Sequence, residues 1–300
     1  MKAIGVLCTR VRVEEKQIIA AVGVAGFAGV PVLPPSTPVP PGPASLDLAT
    51  LGIEEQSVVN GTTLDVMIDR YLSRQMASVM IPTMRALGMT VIDAGLVAQQ
   101  SRLDVARALN LAGIPRPQTL VSFSEESGVA AARELGFPVT ILPLRPGEEV
   151  TYLLDRDTAD AVIEHRVVLG REEEAIALLQ AGAPLANERT LVHVIGGRAV
   201  GFDGVAPTAD AIAIAERAAK AVHAGIVGVD LATIGGELVV WDMQPVPDFR
   251  KAQLLGEQTV AEAIAAHAGA IANGTSGVTG VSSRAAVWET EVRHDVVLSA

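Results

Sequence analysis

Ile226-Val227-Gly228-Val229-Asp230-Leu231, followed by Gly235-Gly236 and then Glu237-Leu238-Val239-Val240-Trp241-Asp242-Met243, decides how the chain is read. Two β-branched, apolar runs on either side of a Gly-Gly pair predict a β-hairpin, because paired glycines supply the positive φ that a tight connection needs. Working back along the chain, Asp210–Ala224 has helical spacing. Before it, Thr190–Ile195, the pair Gly196-Gly197 and Arg198–Phe202 repeat the hairpin pattern. Downstream, Gln258–His267 predicts one more helix. The order hairpin, helix, hairpin, helix describes an antiparallel α+β unit.

The N-terminal part reads differently. Ala3–Leu7 predicts a buried strand and Val13–Ala28 a helix whose Glu14 and Glu15 suit the positive end of its dipole. Asp65–Asp69 and Thr90–Ile92 are further strands around a helix over Arg74–Leu87. This alternation predicts a parallel α/β sheet. The region between the two units predicts a small α+β domain. Its helices are Ser101–Ala112, Ser124–Leu135 with Ser124 as N-cap, and Asp157–Val167; its strands are Gln118–Val121, Pro138–Pro143 and Val150–Leu154. Expected boundaries are 1–98 for the N-terminal domain, 99–183 for the central one, 184–268 for the C-terminal one and 269–300 for an extension. Seven prolines between Pro31 and Pro43 predict an irregular insertion, and Gly269 to Ser283 predicts a loose Gly/Ser/Thr-rich run.

Composition narrows the function classes. The 300 residues carry a net charge of -11, which repels phosphate backbones and argues against nucleic acid as a partner. Cys8 is the sole cysteine, so neither an internal disulfide nor a multi-cysteine zinc site is expected, and a reducing cytoplasm fits. The Ala/Val-rich stretch Ile18 to Val32 is too short and too broken for a membrane span, and no signal peptide is expected. Lys2, Lys16, Lys220 and Lys251 are the only lysines, so chemistry that needs an ammonium has four positions to choose from.

Four segments, in order, resemble the RimK/LysX branch of the ATP-grasp carboxylate–amine ligases. They are Thr9 to Lys16, Ala112 to Val121, Leu135 to Val139 with 155–170, and Gly228 to Leu231 with Val240 to Gln244 and Asp248 to Arg250. Similar proteins clamp ATP between a central and a C-terminal sheet and join a carboxylate to an amine through an acyl-phosphate. The implied fold is ATP-grasp, with a parallel N-terminal pre-ATP-grasp domain.

The resemblance also assigns positions. The strand lysine of such ligases falls on Leu142 and a second phosphate-binding lysine on Arg102; an arginine of the next strand falls on Leu191. Arg145 lies in a short loop, 144–149, that has one glycine and two carboxylates where a glycine-rich cover is expected. Gln180 lies in the stretch 179–183, read as the linker that contacts adenine. Asp230, Asp242 and Gln244 take the places of the magnesium ligands and are all oxygen donors, as a hard cation requires. The segment from Phe202 to Pro207 is shorter than its counterpart in such ligases.

Phosphoryl transfer depends on positive charge and a divalent cation around the triphosphate. The expectation is therefore a catalytically impaired or inactive homologue, with ATP and Mg2+ bound weakly or not at all, that acts as a binding or assembly subunit. The alternative is an active ligase that adds an amino acid such as glutamate to a cofactor or carrier. A third possibility is a small-molecule sensor that uses the interdomain cleft without chemistry. A protein partner or homo-oligomer is expected, met by the insertion 31–43 and the tail 269–300, with a small-molecule or cofactor substrate as a further possible ligand.

Overall fold

The structure is a computed structural model and describes residues 1–33, 58–59, 62–86, 88–145, 150–169 and 176–275. Three sheets organise it.

In the first, β1 (Ala3–Leu7) pairs in parallel with β2 (Ala28–Val32) and with β4 (Thr62–Asp69). β4 pairs in parallel with β5 (Val91–Ile92) and antiparallel with β3 (Val58–Val59). Helix α1 (Val13–Val24) lies between β1 and β2, and α2 (Arg74–Ala86) between β4 and β5. The helix expected over Val13–Ala28 is thus shorter, because Gly26 turns the chain at φ +87° and releases Ala28–Val32 into a strand. Pro31 lies inside that strand, so the irregular stretch cannot start there. β2 ends the strand order, and an edge strand tolerates a proline because one side of its backbone needs no ladder partner. The prolines from 34 to 43 lie outside the described residues.

After β5 come a short helix, α3 (Leu96–Gln99), and then α4 (Arg102–Leu111), which Ser101 caps by accepting from the Asp104 backbone N–H. The central sheet follows. It is antiparallel, in the order β6 (Thr119–Ser122), β9 (Ala177–Ala181), β7 (Val139–Leu142), β8 (Thr151–Leu153). Helices α5 (Glu125–Leu135) and α6 (Arg156–Leu169) cover one face of it through Ala131, Ala132, Ala159 and Ile163. The linker read at 179–183 is therefore partly strand. Apolar Leu178 and Leu179 are buried at the sheet's centre, and backbone buried on that scale is satisfied by a ladder.

The third sheet, also antiparallel, runs β13 (Glu237–Gln244), β12 (Ile226–Ile234), β10 (Thr190–Ile195), β11 (Arg198–Gly204), β14 (Gln253–Leu254). Helix α7 (Ala209–Ala221) packs on Val192, Val194, Val227, Val229 and Leu231 from one side. Near the Ile195–Ile226 end, α8 (Val260–Ala272) joins the other side to α1 and the first sheet through Ile264, Val260, Ile18 and Ile4. This helix continues four residues into the run expected to be loose from Gly269; its alanines pack against neighbouring elements instead. Residues 276–283 of that run lie outside the described residues. No described helix is long and apolar enough to cross a membrane.

Candidate functional site

The hairpin β12–β13 sets the geometry of the site. Asp230 on β12 stands directly opposite Asp242 on β13, and Leu191 on β10 flanks Asp230 on the other side. Opposed residues of neighbouring strands share a face, so these three project to the same side. Val229 and Leu231 alternate to the far side and anchor the sheet on α7. Gln244, two residues on from Asp242, keeps the same side and is half-buried.

Each carboxylate is held by an arginine. Arg102, the first residue of α4, points Nε at Oδ1 of Asp242 (3.1 Å) and Nη2 at Oδ2 (2.9 Å), a bidentate pair. Its Nη1 donates to the carbonyls of Pro143 (2.7 Å) and Arg145 (2.6 Å), and its own backbone N–H donates to the Leu144 carbonyl. One buried guanidinium thereby ties α4, the end of β7 and β13 together. Arg189 donates from Nη1 to Asp230 at 2.8 Å. Burial dominates at Asp230 and, with Arg189 pulling down and Asp242 pushing up, its carboxyl is raised to about 7. Burial likewise lowers the Arg116 guanidinium beside the same cleft, against the pull of Asp242.

Between these charges lies a slot lined by Leu142 of β7, Gln180 of β9, Val105 of α4, Arg116, Trp241 and Asp242, with a volume of about 20 Å³. Trp241 is 2% exposed and Gln180 is fully buried. The Gln180 amide N–H donates to the Trp241 carbonyl (3.1 Å), while Gln180 Oε1 and Trp241 Nε1 are buried without a partner. A second cavity of about 330 Å³ lies outside this slot, bounded by Leu72, Arg74, Arg102, Asp242, Gln244 and Pro245.

The residues picked from the sequence are thus brought together in part. Arg102, Gln180 and Asp242 meet at the slot. Asp230 and Asp242 are strand neighbours, and Gln244 lines the outer cavity with Arg102 and Asp242. Arg145 contributes its carbonyl to Arg102 and is half-buried; residues 146–149 of its loop lie outside the described set. The connection is short: β11 ends at Gly204 and Thr208 already caps α7. One participant had not been singled out. Arg189 lies one strand period before Leu191, so the cation absent at 191 reaches Asp230 from 189 instead. Trp241, beside Asp242 in the hairpin, lines the slot.

His193 is buried, its Nε2 lies 2.7 Å from Asp203 Oδ2, and burial lowers its pKa against the pull of Asp203. Cys8 is buried and pushed up to about 11 by that burial and by Glu15, which makes it a poor nucleophile. His165 is exposed.

The slot between these residues leaves no room for a nucleotide as it stands. The slot has room for about one water. Leu142 and Leu191 offer no charge, Asp242 is neutralised by Arg102, and Asp230 accepts a hydrogen bond from Arg189. Among the described residues, no group of three or more His, Cys, Asp or Glu is placed to hold a metal ion.

No family model matches the chain. It is 24% identical over 192 residues to the alpha-aminoadipate–LysW ligase LysX of Sulfolobus acidocaldarius, a match over 63% of this chain and 65% of the relative, just under two thirds of its length. Among solved structures it is similar to an ATP-grasp RimK domain protein from Sphaerobacter thermophilus, with TM-score 0.71 and 27% identity over 89% of this chain and 99% of that one. The ATP-grasp ligase PsnB, solved with a minimal precursor, Mg and ADP, shares the fold at TM-score 0.61 and 15% identity, over 90% of this chain and 98% of its own. In fold this chain is an ATP-grasp protein, and in sequence it is similar to proteins of the RimK/LysX type.

Proposed function

We propose that this chain is a catalytically impaired RimK/LysX-like homologue that works as a binding or assembly subunit, in the cytoplasm, with a protein partner or further copies of itself. The observation that carries the reading is the internal neutralisation of the cleft. Arg102 grips Asp242 in a bidentate pair across a slot of about 20 Å³. In a working ligase of this fold, a cation at 102 would face phosphate and a carboxylate at 242 would face magnesium. Here the two groups satisfy each other, so binding ATP would first require breaking a largely buried ion pair, a cost of about 3–5 kcal/mol. Losing a single electrostatic contact to a transition state slows an enzyme by ~10²–10³, and both Leu142 and Leu191 stand where cations are expected.

One observation favours the alternative, an active ligase. Asp230, Asp242 and Gln244 present oxygen donors on adjacent strands, the donor type a magnesium ion takes. Incubating the full chain with ATP, Mg2+ and a panel of amino acids, with release of ADP as readout, separates the two. The proposal expects no release above the enzyme-free blank. Amino-acid-dependent release that disappears in Asp242→Asn would replace it with the ligase reading.

A further inference from the structure

The chain enters the central sheet through Ala112 to Gln118 and leaves it through Gly182 to Arg189. These two connections lie side by side, because the Ala181 N–H donates to the Gln118 carbonyl at 2.9 Å. Each carries a glycine at positive φ, Gly113 at +63° and Gly182 at +92°. Pro115, Pro117 and Pro184 keep both from joining a regular element. Strand β7 runs away from them: its first residue, Val139, pairs with Ala181, and its last, Leu142, with Leu178. Pro143, Leu144 and Arg145 therefore lie past the far end of the central sheet. Arg102 grips that far end. Three successive carbonyls accept from this one residue: Pro143 and Arg145 from Nη1, at 2.7 and 2.6 Å, and Leu144 from the backbone N–H, at 2.6 Å. The other edge of the guanidinium is fixed on Asp242 of β13. Arg102 also starts α4, whose Val105 and Leu109 pack into the core shared with α7 and the third sheet.

We infer that Arg102 is a latch that keeps the central sheet closed on the third sheet without the help of a ligand. The two connections form the hinge, and the latch sits at the opposite end, where leverage against opening is greatest. Gln180 also bonds across to Trp241, but it stands beside Ala181, next to the hinge, where it resists swinging least. The shape of the guanidinium is what makes the latch work. Its donors point along two edges, so one group serves a carboxylate and two carbonyls at once. A lysine ammonium is a compact point and cannot span them. Opening the latch would uncover Leu142, Gln180, Trp241 and Asp242 together, so one side chain controls access to the slot. The latch is a property of the chain without nucleotide, and it stands or falls separately from the impaired-ligase reading.

Two measurements on the full chain, both without nucleotide, test it. The first uses the wild type. The first N–H groups of a helix have no partner within it, so the Arg102 amide owes its protection to the Leu144 carbonyl. Hydrogen exchange followed by NMR is expected to find this amide protected; exchange as fast as in an unstructured chain would overturn the latch. The second places nitroxide labels on Glu126→Cys, near the far end of the central sheet, and on Lys220→Cys of α7, both at exposed positions, while Cys8 is buried. Pulsed electron–electron double resonance is expected to give one narrow distance in this labelled chain. The distance is expected to lengthen and broaden in Arg102→Ala and in Arg102→Lys, which keeps the charge and most of the bulk. It is expected to stay the same in Arg107→Ala, at an arginine 68% exposed further along α4. A narrow distance that survives both Arg102 substitutions, or a broad one already present with Arg102 in place, would overturn the inference.

Discussion

At the scale of single residues, the account rests on two carboxylates and the arginines that answer them. Asp230 carries a proton in the folded state up to a pH of about 7, whereas the unfolded chain releases it near the ordinary 3.8. The folded state therefore binds more protons between these values, and Asp230's contribution to stability falls as the pH rises through that window. Asp230→Asn removes the effect. Melting wild type and variant side by side from pH 4 to 8 is expected to show the wild type losing ground at up to about 1.4 kcal/mol per pH unit, levelling above 7. Parallel curves would contradict the raised pKa. Trp241 offers a second check. Its indole fills the slot, so Trp241→Ala is expected to cost about 3–5 kcal/mol in urea unfolding. The variant is not expected to gain ATP affinity, because Arg102 still sits on Asp242.

At the scale of elements, the joint between the first sheet and the third is the most constrained. Gly95, at φ +59°, leads into α3, and a Cβ there would lie 2.0 Å from the Val222 carbonyl oxygen. That oxygen accepts the Leu96 N–H, while the Asp93 carbonyl accepts those of Gly225 and Ile226. Gly95→Ala is expected to destabilise the chain by about 2–4 kcal/mol, read by chemical denaturation, whereas Gly113→Ala, which meets nothing within 4 Å, is expected to cost less than half of that. The joint was not legible in the sequence, because a close approach of distant backbones leaves no local pattern. The hairpins were legible: Gly-Gly pairs and β-branched runs placed β10–β11 and β12–β13 within a few residues. β9 was missed since Leu178 and Leu179 are too few for a period to emerge. β2 was missed because its first residue, Ala28, reads as the end of the helix and Pro31 as the start of an irregular stretch. Within the site, Leu142 and Leu191 could be read as lost cations, but the pairing of Arg102 with Asp242 could not. It joins residues 140 positions apart, and only the fold shows that they meet.

At the scale of the whole molecule, the fold brings α4, the central sheet and the hairpin β12–β13 around one slot, and that slot is lined closely by the chain's own side chains. Arg102 and Asp242 balance each other and Arg189 is hydrogen-bonded to Asp230, so an incoming triphosphate would add negative charge to a chain already at -11 without finding an unengaged cation among them. Calorimetric titration of the full chain with ATP and excess Mg2+ tests this most directly. The expected result is heat no greater than dilution, even at millimolar nucleotide. Stoichiometric binding at micromolar affinity, dependent on magnesium and lost in Asp242→Asn, would contradict it.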